Sequence, residues 1–239
     1  MILYGKNSVF ERLKNNPQSI KKVILRDNFD ELSIEKLIKL NGITCERLPS
    51  YKFNRIRHSL NSQGILAKVN DFSYVSLEDL LFQKKNLNII FLDRIYDPQN
   101  LGAIIRTTAC LGRFAIVIPK FQACEVNETV LHIASGGENY VPIAKVSNLS
   151  LALREIKKFG YWVVGGVIRG EAEDIRKVSF PFPLGLVLGS EGKGVRYGVE
   201  KCLDMKVYIP MEGANITFNV SIACAIFCYE VLRQSRGDI

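Results

Sequence analysis

The chain has 239 residues, 47% apolar and 23% charged, the composition of one large or two small globular domains. This excludes a wholly disordered chain and a collagen-like repeat. Its longest apolar run, Val220 to Leu232, is broken by Glu230 and is shorter than the roughly 20 residues a membrane span needs. The opening Met1-Ile2-Leu3-Tyr4-Gly5 has no basic segment followed by an apolar one, so the expectation is a soluble, cytoplasmic protein with no membrane partner.

The charge is uneven. Lys and Arg number 32 against 24 Asp and Glu, a net +8, and the first 75 residues hold 13 against 7 of these, or +6. A basic excess concentrated in one segment is either a footprint for a polyanion such as nucleic acid or a solubilising surface. The six cysteines contain no C-x-x-C pair and there are only two histidines, so neither zinc-finger spacing nor a disulfide framework is expected. Cys224 and Cys228 lie one helical turn apart in an apolar run and read as buried thiols.

In chain order, a helix is predicted from Ser8 to Asn15, stopped before Pro17, then a strand at Val23-Ile24-Leu25. Apolar residues at 34, 37, 38 and 40 predict a helix over Ser33 to Leu40, ended by Asn41-Gly42. A strand at Thr44 to Leu48, a basic helix or turn over Lys52 to Leu60 with Arg55, Arg57 and His58, and a strand at Ile65 to Val69 complete a small α/β module. Residues 76–88, with Lys84-Lys85, read as a linker between a domain at 1–75 and one at 89–239. The rhythm then changes. Strands are predicted at Ile89 to Leu92, Ala115 to Ile118, Val141 to Val146, Tyr161 to Val167, Leu184 to Leu188 and Met205 to Ile209. Helices are predicted at Asn100 to Leu111, Glu125 to Ser135, Asn148 to Phe159 and Phe218 to Gln234. Strands alternating with helices imply a mostly parallel sheet covered on both faces.

Ligands of such sheets sit at the carboxyl ends of strands, so the loops there carry the chemistry. Three of them spend glycine, proline and polar residues where packing does not require them. In the first, Asp97-Pro98-Gln99-Asn100 leads into a helix with Asn100 as a plausible N-cap. Arg106 follows in an otherwise apolar helix, which suits either a guanidinium meeting an anion or a snorkelling surface arginine. The second, Leu188-Gly189-Ser190-Glu191-Gly192-Lys193-Gly194, is glycine-rich but is not a P-loop, because Lys193 is followed by Gly rather than Ser or Thr. The third, Ile209-Pro210-Met211 through Thr217-Phe218-Asn219-Val220-Ser221, is a polar loop at the mouth of a buried helix, where capping alone would account for Asn219 or Ser221.

In this order and spacing the three segments resemble the three motifs of the SpoU (TrmH-like) RNA ribose 2′-O-methyltransferases of the SPOUT superfamily. Those motifs read N-x-G-A-x-x-R-x-A, L-G-x-E-G-x-G and I-P-M-x-G-x-x-x-S-L-N-V-S-x-A. The Tyr4-Gly5-Lys6-Asn7-Ser8-Val9 opening and Gln63-Gly64-Ile65 resemble the substrate-binding domain of the bacterial 23S rRNA guanosine-2′-O-methyltransferase branch. The resemblance covers nearly the whole chain and departs from the family in two places. Thr217-Phe218-Asn219 stands for Ser-Leu-Asn, keeping a hydroxyl and an apolar wall, and Ser62-Gln63-Gly64 stands for His-Gln-Gly, with His58 displaced upstream.

The resemblance implies an α/β fold with a C-terminal trefoil knot, a small N-terminal L30e-like RNA-binding domain, and a homodimer with active sites at its interface. It implies methyl transfer from S-adenosylmethionine to a ribose 2′-hydroxyl of RNA, with no metal, since the sulfonium is already activated. Asn100, Arg106, Glu191, Thr217 and Asn219 match the family's catalytic positions, and Gly189, Gly192, Ile209, Met211 and Phe218 those that enclose the cofactor. For Arg106, a permanently cationic guanidinium is better suited to holding a phosphate and stabilising the hydroxyl's developing negative charge than to acting as a base. The alternatives are tRNA as the substrate, or a non-catalytic RNA-binding protein.

Overall fold

The computed structural model describes residues 1–56, 61–82, 87–168, 171–190, 192–214 and 216–235. Its first unit is a four-stranded sheet in the order β1-β4-β2-β3, built from β1 (Ile2–Tyr4), β2 (Ile20–Arg26), β3 (Cys45–Leu48) and β4 (Ile65–Val69). Helices α1 (Lys6–Asn15), α2 (Leu32–Leu40) and the single turn α3 (Ser50–Phe53) connect these strands. Strand β1 has only three residues, too short for its alternation to be read from sequence, and pairs antiparallel with β4.

After α4 (Leu77–Phe82) the chain enters a seven-stranded sheet in the order β7-β6-β5-β10-β8-β11-β9. Its strands are β5 (Asn88–Asp93), β6 (Phe114–Pro119), β7 (Ile143–Val146), β8 (Trp162–Val167), β9 (Glu173–Asp174), β10 (Leu184–Gly189) and β11 (Met205–Tyr208). The helices are α5 (Pro98–Leu111), α6 (Glu128–Ala134), α7 (Leu149–Lys158), α8 (Tyr197–Glu200) and α9 (Val220–Ser235). Every pairing in this sheet is parallel.

Strands β5 and β6 are buried along their whole length, as a parallel sheet covered on both faces requires. Their residues alternate between two layers. Ile90, Leu92, Ile116 and Ile118 pack with Leu101, Ile104, Val130, Cys224 and Phe227 of α5, α6 and α9. Ile89, Phe91, Ala115 and Val117 pack with Leu80, Leu149, Leu153, Ile156 and Val199 of α4, α7 and α8. The first layer continues into the N-terminal unit through Leu3, Val9 and Leu13, so the two sheets share one core. Cys224 and Cys228 are fully buried within it, their sulfurs 3.7 Å apart.

Local competition moves three helix starts from where periodicity puts them. Asp97, not Asn100, caps α5: its carboxylate accepts from the Gln99 amide at 2.9 Å, and Pro98 fills the first turn. Helix α6 starts at Glu128 rather than Glu125, because the Val126 amide donates to the Tyr74 hydroxyl and the Cys124 amide to the Ile95 carbonyl. Helix α9 starts at Val220 rather than Phe218, with the Asn219 side chain accepting from the Ser221 amide at 2.8 Å. Of the basic stretch predicted over Lys52 to Leu60, Lys52 and Phe53 belong to the helix Ser50–Phe53, and residues 57–60, with Arg57 and His58, lie outside the described residues, as do Lys84-Lys85. Strand β9 carries no sequence signal, since two residues have no period.

Candidate active site

The loops following β8, β10 and β11 meet at the carboxyl end of the sheet around a cleft of about 260 Å³. Gly166, Val167 and Ile168 from the end of β8 form one wall, and Gly189, Gly192, Lys193 and Gly194 another. Ile209, Met211, Thr217 and Phe218 come from the third loop, and Leu188, Val220 and Phe227 extend into the core beneath. Six of the residues singled out in the sequence (Gly189, Gly192, Ile209, Met211, Thr217, Phe218) therefore line one cleft. Gly189 is there because the loop folds back onto it: a Cβ at this position would lie 2.1 Å from the backbone carbon of Gly194.

Asn100 and Asn219 are joined beside this cleft. The Asn219 Nδ2 donates to Asn100 Oδ1 at 2.9 Å, and Asn219 Oδ1 accepts from the Ser221 amide and hydroxyl at 2.8 and 2.6 Å. The bond ties the start of α5 to the start of α9. Arg106 does not line the cleft. It is exposed on α5, about 9 Å along the axis from Asn100, and has no hydrogen-bond or ion-pair partner among the described residues. Glu191 lies outside the described residues.

Two features of this region carry little sequence signal. Asp93, the last residue of β5, is fully buried and binds Arg196, the residue just before α8. The wall at the end of β8 is foreshadowed only by the pair Gly165-Gly166, since glycine weakens a strand unless something must approach its backbone closely.

The walls suit a flat, largely apolar ligand such as the adenosine of S-adenosylmethionine. Aliphatic and aromatic side chains can cover its faces, and glycine-rich backbone leaves amides and carbonyls at its edge. Among the described residues no cluster of three or more His, Cys, Asp or Glu could hold a metal ion, and no helix is long and apolar enough to cross a membrane.

The N-terminal unit docks on α5 and α6 through a second polar assembly. The Tyr4 and His132 rings stack at 4.2 Å, and the Lys6 amide donates to Gln63 Oε1 at 2.8 Å, bringing the two N-terminal motifs together. Arg12 pairs with Glu138 at 3.0 Å, with both side chains buried. Burial pushes the Glu138 carboxyl above its ordinary value, and the Arg12 guanidinium pulls the other way. Glu138 belongs to the turn Gly137–Asn139, which packs so tightly on α5 that a Cβ on Gly137 would sit 3.2 Å from the Arg106 Cα.

Comparison with known proteins reaches the same region. The SpoU rRNA Methylase family model matches residues 87–229, and the RNA 2′-O ribose methyltransferase substrate binding model matches residues 2–75. The chain is 34% identical to a 23S rRNA (guanosine-2′-O-)-methyltransferase, RlmB, of Nitrosomonas europaea, over 97% of this chain and 91% of that protein. It is also 34% identical, over 99% of its own length, to an uncharacterized tRNA/rRNA methyltransferase of Synechocystis, of which it spans only 63%. The SpoU methyltransferase AviRb of Streptomyces viridochromogenes, solved with the cofactor AdoMet, superposes with a TM-score of 0.83, covering 99% of this chain and 91% of that one; at 18% identity this shows the shared fold. The chain thus belongs to the SpoU rRNA methylase family, as an S-adenosylmethionine-dependent RNA 2′-O-methyltransferase.

Proposed function

We propose that the methyl acceptor is the 2′-hydroxyl of a guanosine in 23S rRNA. The observation that supports methyl transfer in this reading is the convergence of three loops on one apolar cleft, with the Asn100–Asn219 bond at its side. The Nitrosomonas relative, similar along more than nine-tenths of both chains, supports the choice of RNA and nucleoside. S-adenosylmethionine supplies an activated methyl group. The chain's own task is to hold, orient and exclude water, and positioning of this kind lowers a barrier by several kcal/mol.

In this reading Gly189 and Gly192 give backbone to the adenosine edge, while Ile209, Met211 and Phe218 cover its faces. Asn100 and Asn219 hold the loop entrances in register, and Thr217 presents its hydroxyl beside Phe218. Glu191 shares the catalytic set by its match to the family motif. Arg106 grips the phosphate of the target nucleotide and stabilises the developing alkoxide electrostatically; its exposed guanidinium, without a partner among the described residues, supports that role.

Residues 1–75 serve as the RNA-binding domain and 89–239 as the catalytic domain, joined by 76–88. Lys14, Lys21, Lys36, Lys39 and Lys68 are exposed without a carboxylate partner among the described residues, which supports phosphate contacts by the first domain. The insertion of the late strand β10 between β5 and β8 is consistent with a knotted C-terminal segment. Ile222 and Tyr229 of α9, 50% and 58% exposed, fit a homodimer whose partner completes the site around Arg106.

A tRNA substrate is the second reading, favoured by the tRNA/rRNA name of the Synechocystis relative. One experiment separates the two: methylating total RNA from cells lacking the enzyme with radiolabelled cofactor and mapping the 2′-O-methyl site. A label on 23S rRNA guanosine is the expected result; a label on tRNA, or none, overturns the proposal.

A further inference from the structure

We infer that Asp93 is a positioning residue for the cofactor: it closes the glycine-rich loop at both ends and so shapes the cleft before the cofactor arrives. The inference rests on the reading that this cleft holds S-adenosylmethionine. Asp93 ends β5, and in the β5–β10 register it stands opposite Gly189, where the loop begins. Its carboxylate then reaches the other end of the same loop. Oδ2 accepts from the Arg196 amide at 2.8 Å, and Oδ1 accepts from Arg196 Nε, also at 2.8 Å.

One fully buried residue therefore holds residue 189 by sheet pairing and residue 196 by its side chain. Between these anchors the loop is pinched again, with the Gly194 amide donating to the Ser190 carbonyl at 2.9 Å. The segment between them contributes Gly189, Gly192, Lys193, Gly194 and Val195 to the cleft wall. A glycine-rich loop loses much conformational freedom when it is ordered. Ordering it through folding, rather than through ligand binding, leaves that loss out of the binding free energy.

A carboxylate is the side chain this job requires. It accepts two charge-assisted or backbone bonds at once, and an amide in its place would turn an N–H toward either the Arg196 amide or its guanidinium. Asp93 is absent from the cleft lining, so it acts through Arg196 and the loop rather than by touching the ligand. Arg94, the next residue, adopts φ 62°, a left-handed conformation that turns the chain away immediately after the clamp.

The test is calorimetric titration of S-adenosylmethionine into the full-length wild type, Asp93→Asn, Arg196→Ala and the double variant, together with steady-state kinetics. Asp93→Asn is expected to raise the cofactor Kd and KM about tenfold, the scale of one charge-assisted hydrogen bond, with kcat at saturating cofactor kept within about twofold. Arg196→Ala, which keeps the backbone bond, is expected to cost about threefold, and the double variant no more than Asp93→Asn alone. Cofactor affinity unchanged in folded Asp93→Asn, losses that add in the double variant, or a fall in kcat with KM preserved would each overturn the clamp. Should Asp93→Asn fail to fold, Arg196→Ala decides by itself, and an unchanged KM sinks the idea. If the wild type fails to bind the cofactor, the reading of the cleft falls instead; if it binds and the variants match it, only the clamp falls.

Discussion

The cleft and the seam between the two sheets both assemble residues from distant parts of the chain, but by opposite physical means. The cleft is made of loops, with Thr217, Phe218 and Asn219 exposed and Gly189 and Gly192 providing backbone rather than side chains. The seam is a packed joint in which Arg12 and Glu138 are withdrawn from water, Tyr4 lies flat on His132, and one core runs through both units. Polar groups at an exposed cleft edge stay within reach of a ligand, whereas a buried ion pair is costly to break. The seam also lies directly behind the catalytic candidate, since Glu138 follows the glycine that touches the backbone at Arg106. The packed joint thus sets where the N-terminal unit stands relative to α5, and the loops shape the cleft.

If that contrast holds, the most damaging substitution lies in the seam and outside the cleft. Glu138→Ala leaves Arg12 buried without its partner and is expected to lower unfolding free energy by about 3–5 kcal/mol, measured by denaturant titration. A loss below about 1 kcal/mol would place the pair with ordinary surface bridges and erase the distinction.

Next in size is Arg106→Lys, which keeps the charge and loses the fork. The expected outcome is a fall in kcat of roughly a hundredfold, with cofactor affinity and stability unchanged because Arg106 has no partner among the described residues to lose. Near-normal turnover would remove Arg106 from phosphate orientation.

How far the sequence exposes each region follows from the same contrast. The buried strands Ile89 to Leu92 and Ala115 to Ile118 are legible because burial on both faces forces a continuous apolar run. The cleft residues after β10 and β11 are legible because glycine, proline and capping residues crowd into those loops, whereas the wall at the end of β8 is marked only by its glycine pair. Helix starts are less so: Asn100 and Asp97 are both good N-caps, and only the geometry shows Asp97 taking that role while Asn100 turns to Asn219. The seam is invisible from sequence. Arg12 and Glu138 are 126 residues apart, each ordinary on a helix or turn, and nothing local marks them as partners. Asp93 and Arg196 are hidden for the same reason, 103 residues apart.

Within the cleft, Phe218 sharpens the picture. It is 42% exposed and lines the cavity, so Phe218→Ala removes a wall without leaving a core void. Cofactor Kd is expected to rise about tenfold, matching the loss of part of an aromatic contact, with thermal stability nearly unchanged. A large drop in melting temperature would mean the cleft is as integral to the fold as the seam.

A smaller effect comes from the bond that ties α5 to α9. A double-mutant cycle with Asn100→Ala and Asn219→Ala is expected to give a coupling of about 1 kcal/mol in cofactor binding, the ordinary net worth of a neutral hydrogen bond. Strict additivity would separate the two asparagines in function.

The smallest expected effect is a pH slope that only the seam should show. Burial raises the Glu138 carboxyl above its ordinary 4.5, so in the folded chain it keeps a proton that the unfolded chain has already released. The folded state binds more protons through that window, and unfolding free energy therefore falls as pH rises from the ordinary glutamate value through the raised one. Glu138→Gln cannot titrate. The difference between wild type and Glu138→Gln, followed by denaturant unfolding from about pH 4 upward, should shift against the wild type as pH increases. A difference that stays flat would mean that Arg12 fully offsets the burial of the carboxylate, and the seam would then be an electrostatically balanced joint rather than one held against a residual desolvation cost.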